Sequence, residues 1–517
     1  MSQQSWTLPA ALGLGPGPEL VAFVGGGGKT SLLFALAAAL PGRVVITTTT
    51  RIFAAQIRLA PAVVYEDDLS PLGQLLDAHG RCLVVGRVDG DKARGVAPDL
   101  PARLLARPDV DAVVVEADGS RMRPVKAPAD HEPVIPPGTT LVVPVAGLDA
   151  LEGPLAEVAH RAEIVGKIRN YELGITNEEW ESVPSPKGRG LGRGSAVPSP
   201  FGRGLGRGSA VPSPLGRGLG RGSDIPLPAE REVGRGSAAG EQEWLTIAGL
   251  ARLLTHPEGG LKGVPDEARV VVFLNKVESE ARLDAARAAA RLMLREPRVA
   301  HVVLGAARMA EPVREVWRRV TAVVLAAGES RRMGRNKLLL PWGETTVLGR
   351  TLANVRASAV HDVIVVTGHE RDEVEAVLGQ PQPAQEGTHI IHNNDYANGM
   401  LSSVQAAVRA LPPATDAILV VLGDQPMVEP PTIDRLLMAY AAAPAGFVAP
   451  TYDGRRGNPV LIARRHFAEL LALPPDAAPR ALLARHAHDV LAVAVDSEAV
   501  LHDLDRPEEY ARFRPAE

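Results

Sequence analysis

Two short stretches hold residues whose types and spacing suit phosphate chemistry. The first, "FVGGGGKTS" (Phe23 to Ser31), runs from an apolar segment through four glycines into Lys29 and Thr30. Glycines let backbone N–H groups wrap an anion, and a helix starting just behind them adds favourable partial charge. In such a loop Gly25, Gly26, Gly27 and Gly28 supply amides, Lys29 reaches the β- and γ-phosphates of ATP or GTP, and Thr30 ligates Mg²⁺. The spacing is a shifted P-loop, because Phe23 stands where the usual pattern has a glycine. The alternative is a glycine-rich turn whose lysine only faces solvent. Downstream, "VVVEADGSRMRPVKAP" puts Glu116 and Asp118 at the end of an apolar run, where carboxylates suit a Mg²⁺ position opposite the loop. Arg121, Arg123 and Lys126 follow, either for a second anionic ligand or as a solvated basic loop. "FLNKVE" places Asn275 and Lys276 in the order of the guanine-reading Asn-Lys-x-Asp of GTPases, with Glu278 in place of the aspartate.

The second stretch is "LAAGESRRMGRNK", Leu325 to Lys337. Nucleotidyl transfer needs a triphosphate gripped at its outer phosphates while Mg²⁺ prepares the α-phosphate for in-line attack. Gly328 lets backbone approach the nucleotide, and Ser330 can donate to phosphate. Arg332 and Lys337 would offset charge building on departing pyrophosphate. Two carboxylates should complete a metal site. "AILVVLGDQPMV" delivers Asp424 beyond an apolar strand, and "LHDLDRPEEY" supplies Asp503 and Asp505. Asp505, standing before "RPEEY", could instead be a helix N-cap.

The elements that must hold these residues follow from the pattern of apolar runs. "LVAFV", "RVVITTTT", "RCLVVG", "DAVVVEAD", "TLVVPVAG" and "ARVVVFLNK" recur before residue 318. "TAVVLAAG", "DVIVVTG", "THIIHN", "AILVVLGD" and "VLAVAVD" follow it. Ala- and Leu-rich segments of helical length lie between many of them. Continuous apolar strands alternating with helices predict α/β architecture with parallel sheets covered on both faces. "REVWRRV", Arg314 to Val320, reads as the end of one unit and the start of the next.

At 517 residues the chain is long enough for two or three domains. A net charge of −4 argues against a generally basic nucleic-acid binder. Cys82 is the only cysteine, which excludes an intrachain disulfide and a cysteine-rich metal site. The first residues lack a basic segment followed by an apolar one, and "SLLFALAAAL" is too short for a membrane span, so a cytoplasmic protein with no membrane partner is expected. Between the two units "PSPKGRGLGRGSAV", "PSPFGRGLGRGSAV" and "PSPLGRGLGRGSDI" repeat. Such Gly/Pro/Arg-rich sequence cannot bury a core and is expected to be disordered. With Phe201 its lone aromatic among the repeats, RNA binding is a distant alternative. "NEEW" ends just before the tract and "EQEW" ends it, so removing Glu181 to Trp244 leaves "GITNEEWLTIAGLARLL", a plausible turn into a helix. The tract reads as an insertion in a surface loop, with boundaries at 1–180 and 244–318 for the first unit, 181–243 for the insert and 319–517 for the second unit.

The motifs "VGGGGKTSL", "TTTTRIF", "EADGSRMRPVKAPADHEPVIP", "GLDALEGPL", "HPEGGLKGVP" and "LNKVE" resemble the YqeC-like family. That resemblance implies a link to maturation of selenium-dependent molybdenum hydroxylases, with such an enzyme as client. "LAAGESRRMGRNKLLLPWG", "VVTGHE", "NNDYANGMLSSV", "LGDQPMV", "RRGNPVLI" and "DLDRPEE" resemble the MocA-like molybdenum cofactor cytidylyltransferases. This second resemblance implies a Rossmann-like nucleotidyltransferase in which the loop through Leu325, Ala326, Ala327, Gly328 and Ser330 holds CTP, and Asp424 and Asp505 share Mg²⁺. It further implies molybdopterin or molybdenum cofactor as acceptor, facing Gly399 to Val404 and Gly457 to Val460. Ala327 fits the cytidine-using relatives. Asn458, Leu401 and the glycine-free "LPPDAAPRALL" depart from the family pattern, all on the acceptor side.

Overall fold

A computed structural model describes residues 5–169, 243–379, 388–475 and 477–515. The repeat tract lies outside them. So does Asp476. Two large sheets form the frame. The first has nine strands in the order Val313–Arg318, Val299–Gly305, Arg269–Asn275, Leu141–Gly147, Glu19–Gly25, Ala112–Glu116, Val44–Thr48, Arg81–Val85, Val63–Tyr65. Every neighbouring pair is parallel except Val313–Arg318 against Val299–Gly305. The central strands are apolar on both faces because helices cover both, as the continuous apolar runs predict.

The second sheet runs Thr388–His392, Asp362–Thr367, Val320–Ala326, Ala417–Leu422, Val460–Ala463, Phe447–Tyr452, Arg455–Arg456, with Val490–Ala494 also pairing Phe447–Tyr452. Val320–Ala326 is its parallel centre, with Leu325 opposite Leu422 and Ala326 opposite Thr367. In both sheets the strand ends that lead into candidate site residues therefore collect at one edge, where α/β proteins bind ligands.

One residue, Arg319, separates the last strand of the first sheet from Val320–Ala326. It is buried, and its guanidinium donates to Leu294 O (3.0 and 2.5 Å) and Glu296 O (2.6 Å). Beside it the Arg318 guanidinium lies 3.7 Å from the Tyr440 ring centroid and 4.9 Å from that of Trp6, and donates to Tyr440 O at 3.0 Å. Apolar side chains from both sheets form one continuous buried cluster across this seam.

The segments flanking the insert meet. Arg169, at the end of the helix Ala162–Arg169, donates to Trp244 O (2.6 Å) and pairs with Glu243 (3.2 Å). Arg252, from the helix Ile247–Thr255, donates back to Arg169 O at 2.7 Å, and Leu155 N–H donates to Glu243 O at 2.7 Å. Among the described residues no helix is long and apolar enough to cross a membrane.

Candidate active site

The second sheet delivers its carboxylates to one place. Asp424 follows the carboxyl end of Ala417–Leu422 and is buried. Gly423 must be glycine, because a Cβ there would lie 2.6 Å from Leu325 O. Asp503 and Asp505 arrive from the C-terminal segment, and one carboxylate oxygen from each of the three aspartates lies within 4.8 Å of the others. Asp505 does not cap the following helix. The Glu509 carboxylate takes the amides of Asp505 and Arg506 (2.8 Å each), which frees the Asp505 carboxylate for the cluster.

Lys337 bridges this cluster, its ammonium bonded to Asp424 and, at 2.6 Å, to Asp505. Arg332, mostly exposed, donates to Asp505 Oδ2 at 2.5 Å. Burial alone would discharge Lys337, but the two aspartates outweigh it and raise its pKa. Burial also opposes ionisation of Asp505, and Lys337 with Arg332 reverses that and lowers its pKa. Asp503 is raised, by burial first and then by the charges of Asp424 and Asp505. Arg332 and Lys337, the cations expected on phosphates, thus pair with carboxylates.

The loop that carries them is held by its own polar groups. Ser330, at φ +53°, accepts the Lys337 N–H on Oγ at 3.1 Å, so its oxygen braces the loop while the hydroxyl proton stays available to a ligand. Ala327 O accepts from His369 N–H at 3.3 Å.

At the first sheet, Phe23 pairs with Glu116, Gly25 with Val145, and Gly147 with Asn275, which gathers the glycine loop and its carboxylates at one edge. Thr30 Oγ1 donates to Glu116 Oε2 at 2.9 Å. Lys29 is buried, folded onto Gly25 O (2.5 Å) and Asp118 Oδ1 (3.1 Å). Burial raises the Glu116 carboxyl despite Lys29 and Thr30 nearby.

Three expectations need correction here. The amides of Gly25, Gly26 and Gly27 do not line an open cradle: they donate to Asp118, Val145 O and Arg123 O respectively. The first intrahelical bond of Lys29–Ala39 runs from Leu32 N–H to Gly28 O, so anion-binding capacity rests with the amides at the helix start. Lys126 faces no anion site; it is buried between Asp118 (3.0 Å) and Glu132 (2.8 Å). Burial would raise Glu132, but the Lys126 hydrogen bond and charge carry its pKa down to about 2. Asn275 does not resemble a base reader in place. Its amide donates to Gly27 O (2.7 Å) and accepts from Ala307 N–H (2.9 Å), a buried staple under the loop, while Lys276 pairs with Asp149. Arg121 and Arg123 are exposed. Sequence reasoning missed Glu132 as a partner of this site, although it lies within the quoted "ADHEPVIP".

A model described as "YqeC protein" matches residues 21–163, and one described as "MobA-like NTP transferase domain" matches residues 322–490. Uncharacterized protein YqeC of Escherichia coli K12 is 36% identical over 174 residues, covering 32% of this chain and 68% of that protein. The Molybdenum cofactor cytidylyltransferase of the same strain is 30% identical over 191 residues, covering 37% of this chain and 93% of that protein. The chain belongs to the YqeC and MobA-like NTP transferase families. The YqeC part carries the glycine loop, and the transferase part carries the aspartate cluster; the latter is a nucleotidyltransferase. The Purine catabolism protein PucB of Bacillus subtilis is also similar to the transferase part, at 34% identity over 38% of this chain and 95% of that protein.

Proposed function

We propose that the transferase part moves CMP from CTP onto the terminal phosphate of molybdopterin or molybdenum cofactor and releases pyrophosphate. The observation that carries this reading is the convergence of Asp424 and Asp505 on Lys337 at the nucleotide edge of the sheet. Three carboxylates form an all-oxygen set suited to Mg²⁺, with Asp424 and Asp505 as ligands and Asp503 beside them. A magnesium ion held there would lend positive charge to the α-phosphate. The loop from Leu325 through Ala326, Ala327, Gly328 and Ser330 holds the nucleotide. Arg332 and Lys337, released from their carboxylates, meet the charge on the outer phosphates. An oxygen of the acceptor phosphate forms the new bond to the α-phosphorus, the bond to the bridging oxygen breaks, and pyrophosphate leaves with that electron pair. The nucleophile is already an anion, so positioning and charge neutralisation replace a general base.

The YqeC part would bind ATP or GTP at Gly28, Lys29 and Thr30, with Glu116 and Asp118 on the Mg²⁺ side, and serve delivery of the finished cofactor to a molybdenum hydroxylase client. We take 1–180 with 244–318 as the first unit, 181–243 as its insert and 319–517 as the second unit. The similarity to PucB favours one second reading, in which the same transfer chemistry serves another acceptor.

Pyrophosphate release by the full chain with Mg²⁺, acceptor and each of CTP, GTP, ATP and UTP tests the proposal. Release with CTP that needs both acceptor and Asp424 is expected. Release with GTP reassigns the nucleotide. Nucleotide binding without release, with every nucleotide, would make the domain a carrier and sink the proposal.

A further inference from the structure

A second set of ligand-type side chains lies at the other edge of the second sheet. Val460–Ala463 runs antiparallel to Ala417–Leu422 with Ala463 opposite Ala417, so the turn after Ala463 is at the edge away from Asp424. That turn, Arg464–His466, leads into the short helix Phe467–Leu471 and presents His466 and Glu469 one turn apart. His486 and Asp489 come from the segment just before Val490–Ala494.

These side chains are packed together. The His466 and His486 ring centroids are 4.6 Å apart, and Phe447 stacks on His466 at 4.3 Å. His486 Nε2 is 2.6 Å from Glu469 Oε2, and the other Glu469 oxygen is 3.3 Å from Arg485. Asp489, held by Arg465 at 2.7 Å, lies 2.9 Å from His466 Nε2. Gly446 makes room for this contact: a Cβ there would lie 1.9 Å from Asp489 Oδ2 and 2.3 Å from His466 Nε2.

We propose that His466, Glu469 and His486 form a binding site for a divalent cation of the Zn²⁺ class, with water completing the shell. One ligand atom from each lies within 4.8 Å of the others. A tetrahedral ion with bonds of about 2.0–2.1 Å sets its ligand atoms roughly 3.4 Å apart, so His486 and Glu469, now 2.6 Å apart, part slightly to admit it. Two imidazoles with one carboxylate select zinc-like ions over Mg²⁺, which prefers oxygen ligands. A carboxylate on a ring nitrogen of a ligating histidine fixes its tautomer and orientation, the part Asp489 plays for His466. Glu469 and His486 are partly exposed, so an ion enters from solvent by parting their hydrogen bond. Bound there, it clips the turn at His466 to the segment at His486. The site is independent of nucleotidyl transfer.

Untagged full-length protein, stripped with chelator and returned to millimolar Mg²⁺, would be titrated with Co²⁺ as a visible-absorption probe and with Zn²⁺ in competition. One Co²⁺ per chain with ligand-field bands, displaced by Zn²⁺ and retained in Asp424→Ala, is expected. Glu469→Gln, a change at a partly exposed position, should weaken binding at least tenfold, and His486→Gln should remove the bands, with circular dichroism confirming that both variants fold. Asp489→Asn should weaken binding about 10- to 100-fold. No bound Co²⁺, unchanged binding in His486→Gln and Glu469→Gln, or loss of the bands in Asp424→Ala would each overturn the site.

Discussion

At the scale of single residues, both loops solve one electrostatic problem in the same way. Carboxylates gathered in one place cannot stay buried without counter-charge. The nearest lysine supplies it: Lys29 lies on Asp118 and near Glu116, and Lys337 lies on Asp424 and Asp505. Each lysine is then available to phosphate only when another cation takes its place. Lys337→Ala should therefore cut turnover about 100- to 1000-fold while leaving metal affinity undiminished. Mn²⁺ binding followed by electron paramagnetic resonance, beside steady-state rates, checks both halves of that statement; weaker Mn²⁺ binding would mean that Lys337 organises the aspartates instead of competing at them. Asp424→Ala should lose both metal and turnover.

At the scale of elements, the glycine loop of the YqeC part is shaped by its neighbours as much as by its own sequence. Gly27 sits at φ +68°, and a Cβ there would lie 2.0 Å from Gly147 N, so Gly27→Ala must push the loop off the strand Leu141–Gly147. Asn275 pins the same loop from the next strand. Asn275→Ala leaves a buried carbonyl and a buried amide unpaired, at a cost of roughly 1–3 kcal/mol each. It should weaken ATP and GTP binding alike, measured with fluorescent analogues of both; loss of GTP binding alone would restore a base-reading role. The insert is bounded by elements that already close on each other through Arg169, Glu243, Trp244 and Arg252. Deleting residues 181–242, which keeps Glu243 and Trp244 beside Arg169, should leave transfer rates within about twofold, since a shorter connection across a neck that is already closed adds little loop-closure cost. Failure of the shortened chain to fold would show that the tract is needed to make that neck.

At the scale of the whole molecule, the seam between the sheets is buried and polar groups within it are costly to charge. His361 accepts the Val320 N–H on Nδ1 at 3.3 Å, and its Nε2 is buried without a partner among the described residues. Burial, with Arg319 nearby, lowers its pKa from 6.5 to about 4. In the unfolded chain this histidine takes a proton near pH 6.5, but in the folded chain only near 4. Between those values the unfolded state binds more protons, so stability falls as pH drops, by roughly 3 kcal/mol in all from this group. His361→Phe should flatten the denaturation midpoint over that range; an unchanged pH slope would place the loss elsewhere. The α/β class and the strands that lead into the two loops were legible in the sequence, because apolar runs and glycines act over a few residues. Asp424 was legible as a residue beyond a strand. The choice of Asp505 over Asp503 came only from the family resemblance, and whether Asp505 was just a helix cap was not legible. The roles of Asn275, Lys126 and the amides of Gly25 to Gly27 were likewise hidden, since each depends on a partner from a distant strand or loop. Sequence alone determined the residues on offer, a glycine-lysine loop and a transferase loop in α/β frames. Tertiary structure decided which charges face each other, because strand order and register, not chain proximity, bring Asp424 to Lys337 and Asn275 to Gly27.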